Sequence, residues 1–143
     1  MTVAYEIDVV AWDDEQASLL RAGLFSQLDI EHIADEIEDV GKSEQRELAS
    51  RMVVLLAHLL RWQYQPAYRG NSWRLTIIGQ RKDIAYAFKK TPSLKNVLND
   101  FEWVDVVWSK AIAEAATETG LADFPESCPW SFDQIMDAGF WPD

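Results

Sequence analysis

Apolar residues recur at three- and four-residue spacing through most of the chain, and almost nowhere alternate with polar ones. That period predicts helices and no strands. Val9, Trp12, Gln16, Leu19 and Leu20 share one face of a first helix. Asp8 stands where its cap belongs, and Gly23 stops it after Ala22. A second stripe is far longer: Ile30, Ile33, Ile37, Val40, Leu48, Met52, Leu55, Leu59 and Trp62. It continues through Gly41, so the pattern predicts one helix of about ten turns, capped by Asp29 and running to about Gln65. From Met52 to Leu60 this helix is apolar nearly all round, which makes it the spine of the fold.

Pro66 and "RGNS" break the chain. Asn71 or Ser72 then caps a third helix to about Lys90, with Trp73, Ile77, Ile84 and Phe88 facing inward. "TPS" at 91–93 reads as a cap followed by proline at the first helical position. The fourth helix is expected to run on from there to Thr119, with Gly120 as its stop and Leu94, Leu98, Phe101, Trp108 and Ile112 inward. "SFDQ" at 131–134 is a capping box for a short fifth helix ending near Gly139, after which Phe140 and Trp141 dock. The expected architecture is all-α: one domain over 1–143, an antiparallel four-helix bundle with a long central helix and a short C-terminal fifth.

Composition narrows the class. A chain of 143 residues, 48% hydrophobic, can build a core, and its 6 glycines and 5 prolines are too few for a turn-rich or disordered chain. No apolar run is long enough to span a membrane, and the first residues carry no secretory signal pattern. Cys128 is the single cysteine, which leaves no disulfide framework and points to the cytoplasm.

The net charge of −11 is unevenly laid out. Residues 1–60 carry 13 acidic and 4 basic side chains, net −9; residues 61–95 carry 8 basic and 1 acidic, net +7; residues 96–143 carry 10 acidic and 1 basic, net −9. The basic middle either packs between acidic helices or grips an anionic partner. Nucleic acid is disfavoured as that partner, because the whole chain repels it at long range.

The blocks "IEHIADEIEDVGKSEQRELASRMVVLLAHLLRWQYQP", "SWRLTIIGQRKDI", "PSL" and "FPESCPWSFDQIMDAGFWP", in that order, are together specific. The chain resembles the bacterial domain-of-unknown-function family 29, from "YEIDVVAW" to "FWP". The resemblance implies a small all-helical cytoplasmic domain and supplies no catalytic residues.

Candidate chemistry is sparse. A di-iron bundle needs Glu-x-x-His pairs on facing helices, but His58 has Leu55 where the carboxylate belongs. His32 and Glu36, four apart, offer only the edge of a metal site, so no metal or cofactor is expected. Cys128 in "ESCPW" has no histidine near it in sequence, and no catalytic residue is assigned. The polar residues close to the apolar stripes carry more information. Glu44, Arg51 and His58 lie seven apart, with Glu47 four before Arg51. Arg74 and Arg81 flank the third helix's inner face, and Asp105 falls within the fourth helix's stripe. A carboxylate there is expected to be buried and paired with Arg51, Arg74 or Arg81. The set is either an ion network that fixes register or a small-anion pocket walled by Trp62 and Trp73. Trp103 lies opposite the inward stripe, either as a partner contact or covered by the C-terminal segment.

These residues support a non-catalytic helical module that binds an unidentified protein, a homodimer being one form. The alternative is a small-anion-binding protein or enzyme using Arg51, His58, Arg74 and Arg81. In "HLLRWQYQP", positions 58–66, the leucines and tryptophan are expected to plug the bundle and His58 to edge it.

Overall fold

A computed structural model describes residues 3–143. Five α-helices appear among them: α1 (Val9–Ala22), α2 (Ile30–Tyr64), α3 (Asn71–Lys90), α4 (Phe101–Thr119) and α5 (Phe132–Met136). No strand occurs among the described residues. The chain is all-α, as its periodicity predicts.

Several ends form for the reasons the sequence suggests. Asp8 accepts from the Ala11 N–H, and Gly23 closes α1 in the left-handed region at φ 75°. Gly120 closes α4 in the same way at φ 73°. Ser131 and Gln134 form the reciprocal capping box on α5. Three boundaries differ, the first being that α5 stops at Met136, short of Gly139. The cap of α3 is Gly70, without a side-chain bond. The fourth helix does not run continuously from the proline: Pro92–Asn99 is a 3₁₀ stretch, and Asp100 is extended before its carboxylate caps α4 by accepting from Glu102 and Trp103.

The chain divides into two compact units, Met1–Ser43 and Glu44–Asp143. In the second unit, Leu48, Leu55, Leu59 and Leu60 of α2 are fully buried with Ile77 and Ile84 of α3 and Trp108 and Ala111 of α4. Ala115 of α4 is fully buried with them. A strap after Gly120 closes this core. Phe124 meets Tyr64 edge-on, Phe132 meets Phe88, Trp130 meets Trp108, and the Trp108 indole donates to the Pro125 carbonyl at 3.1 Å. Phe140 and Trp141 are half-buried in the docked tail, and Pro142 is buried.

The first unit is a short hairpin of α1 and the opening turns of α2. Only Trp12 and Gln16 are buried in it among the described residues. Here the stripe expectation is corrected: Ile30, Ile37 and Val40 are 69%, 67% and 66% exposed. Two helices can cover each other along one seam only, and this unit brings no further helix to the rest of the stripe.

Candidate functional site

The polar residues singled out in the sequence do not converge. Glu44, Glu47 and Arg51 do line one cleft of about 200 Å³ between α2 and α3. Arg51 is already neutralised there, donating to Glu47 at 3.0 Å and to Asp83 of α3 at 2.9 Å. Asp83 is the lone acid of the basic window 61–95, which is the signal that marks it in retrospect.

His58 sits elsewhere. Its Nδ1–H donates to the Val54 carbonyl at 2.8 Å, and burial pushes its pKa below the ordinary histidine value. Its electrostatic neighbours are Arg61 and two α4 carboxylates, Glu114 and Glu118. Arg74 is exposed. The Arg61 guanidinium lies over Trp73, 4.7 Å from its ring centroid, and Trp62 packs on Trp141 at 4.7 Å, so the two tryptophans have different partners.

Asp105 is exposed, and no ion pair joins it to Arg51, Arg74 or Arg81. The inward stripe assumed one continuous helix from Pro92. The 3₁₀ stretch and the extended Asp100 reset the phase, so α4 buries Val107, Trp108, Ala111 and Ala115, while Phe101 is 84% exposed. Trp103 is half-buried against the core, beside an apolar pocket of about 190 Å³ shared with Met52, Leu56 and Phe132. The strap thus supplies part of its cover. Cys128 lines the same pocket; burial raises its pKa, and its thiol meets the Trp130 carbonyl at 3.4 Å.

Arg81 is buried among the apolar residues of α3 and binds main chain. Its Nε donates to the Ile135 carbonyl and its Nη2 to the Phe140 carbonyl, each at 2.7 Å. Arg69, which lies off the apolar stripes and carries no signal in the sequence, does the same with Trp62 and Pro142 at 2.7 and 3.2 Å. The basic middle segment therefore spends these two arginines on holding the tail.

The amino-terminal unit has a different character. Asp29 is its hub: Oδ2 accepts from the Trp12 indole at 3.0 Å and from His32 Nδ1 at 2.7 Å, and the Asp29 N–H donates to Gln16 at 2.8 Å. The bond from His32 holds the Asp29 pKa below its ordinary value; reciprocally, Asp29 raises that of His32. Tyr5 stacks on His32 at 4.2 Å and donates to Glu36 at 2.5 Å, which pushes the phenol up to about 12. Glu36, considered above as a metal partner for His32, is thus taken by a hydroxyl. Beside this network α1 and α2 leave an open groove of about 550 Å³. Ala17 and Leu20 form one wall and Ile33, Ile37 and Val40 the other, with Asp13, Asp14 and Glu36 also lining it. The Nε2 of Gln16, which also lines it, has no acceptor among the described residues.

The groove is apolar along its walls, acidic in its polar lining, and shallow. Its lining brings three carboxylates and one guanidinium to apolar walls. No helix is long and apolar enough to cross a membrane among the described residues. The chain belongs to the family described as "Domain of unknown function DUF29", whose model matches residues 4–141. No curated protein and no solved structure matches it.

Proposed function

We propose that this member of the family is a non-catalytic protein-interaction module acting in the cytoplasm, and that its contact surface is the groove of the amino-terminal unit. One contrast carries the reading. The strap of the second unit closes over its core and leaves side chains such as Leu75 and Phe101 exposed, whereas in the first unit Ile37 and Val40 stand largely open beside Leu20 and line one groove with it. Contiguous apolar surface of this kind marks an interaction site in a soluble protein. The small-anion alternative loses support from the same geometry, because Arg51 is paired with two carboxylates and Arg81 with two carbonyls.

A photo-reactive amino acid at position 37, introduced in the host cell, tests the reading. It should capture a stoichiometric protein partner, whereas the same group at the exposed Leu75 of the second unit should not. Equal capture at both positions, or no capture at 37, would end it.

A further inference from the structure

We infer that the groove of the amino-terminal unit takes an amphipathic helix from another protein, one with an apolar stripe flanked by lysine and arginine. The inference rests on the interaction reading above and names the chemistry of the partner.

Shape points to a helix. The α2 wall presents Ile33, Ile37 and Val40 at four- and three-residue spacing, which is two turns and roughly 10 Å of axis. The α1 wall answers with Ala17 and Leu20. Two adjacent helices with open apolar walls form the seat that a third helix fills, with anchors at i, i+3 or i+4, and i+7. A peptide that binds by strand addition would need a sheet edge, and the described residues contain no strand.

Charge selects the kind of helix. Residues 1–43 carry eleven acidic and two basic side chains, net −9. Asp13, Asp14 and Glu36 line the groove itself, with Arg21 as its one cation. An acidic helix would be repelled there. So would a second copy of the same unit, since pairing two of them doubles −9 to −18 within a few Debye lengths. A helix with basic flanks gains attraction on approach and loses none of the apolar contact.

The test uses the full chain and a labelled model peptide of about 18 residues, long enough for five turns. It is made of leucine, alanine and lysine, with leucines at helical spacing and lysines on both flanks. Three comparisons accompany it: a scrambled peptide of equal composition, a peptide with glutamate for each lysine, and the chain carrying Leu20→Ser with Ile37→Ser. The striped basic peptide should bind at physiological salt, and the scramble and the double variant should each weaken binding about tenfold or more. The glutamate peptide should not bind. A second chain variant, Asp13→Lys with Asp14→Lys, should weaken the basic peptide without altering the melting temperature. Equal binding of the scramble, tighter binding of the glutamate peptide, an unaffected double variant, or no binding at all each overturns the inference. The photo-capture at position 37 separates this failure from the broader one. Capture of a second copy, or of a partner segment that is acidic or extended, leaves the interaction module standing and removes the basic helix. Capture of nothing removes both.

Discussion

Arg81 Nε and the carbonyl oxygen of Ile135 lie 2.7 Å apart across fifty-four residues of chain, and the same guanidinium reaches the Phe140 carbonyl. Arg81 is only 5% exposed and faces the ring of Trp141 at 5.3 Å. Burial lowers its pKa while Asp137 opposes that shift, but an arginine stays charged at any physiological pH. Replacing it with methionine keeps much of the volume and strands two carbonyls. Arg81→Met should cost about 2–4 kcal/mol in urea unfolding and expose the strap to protease, since hydrogen bonds from a charged donor are the stronger ones. An unchanged midpoint together with an intact strap would show that the latch is idle.

Leu55 and Ile37 belong to the same sequence stripe of α2 and have opposite fates, one fully buried and the other 67% exposed. Leu55→Ala should therefore destabilise by about 2–5 kcal/mol, the usual cost of emptying a packed site. Ile37→Ala should stay within about 0.5 kcal/mol of wild type. Denaturant curves for the pair measure directly where along α2 the covered core begins.

Asp105→Ala should be nearly silent, within about 0.5 kcal/mol, because the side chain is exposed and holds no arginine. A loss of several kcal/mol would mean that α4 is turned about its axis from the orientation described.

The Asp29–His32 pair gives the amino-terminal unit a pH window. The His32 pKa is raised, so its stabilising contribution is full below the ordinary value of 6.5 and disappears as pH climbs through the raised value. The Asp29 pKa is lowered, so its contribution is present above the ordinary 3.8 and is lost as pH falls through the lowered value. Both operate between 3.8 and 6.5. In an NMR titration, Asp29→Asn should move the His32 midpoint downward. A midpoint that stays in place would assign the shift to other carboxylates such as Glu6, whose Oε1 stands 3.1 Å from His32 Nε2.

Much of this architecture is legible in the sequence because helix caps are local. Asp8, Gly23, Gly120 and the Ser131–Gln134 box each act within one turn, and each was identifiable from its neighbours alone. What periodicity does not carry is phase across a break. Asp100 reset the fourth helix, and Asp105 and Phe101 went outward with it. Nor does a stripe say how much of itself will be covered: Ile30 through Val40 has the same spacing as Leu48 through Leu59, and coverage depends on which helices the chain can bring alongside. The polar set failed as a site for a third reason. An arginine near an apolar stripe suggests a carboxylate or an anion as its partner, whereas Arg81, like Arg69, binds main-chain oxygens, which no side-chain pattern advertises.

The four acceptors used by those two arginines belong to Trp62, Ile135, Phe140 and Pro142, and all four are carbonyls. Every residue type carries that atom. The latch therefore reads no side chain at 135 or 140, where Ile135 and Phe140 are held instead by their own packing on the core and on Trp130. A one-residue insertion or deletion between them is another matter, because it shifts one oxygen relative to the other while leaving composition almost untouched. In this protein the arginine latch checks the C-terminal strap for length, and the core beneath checks it for spelling.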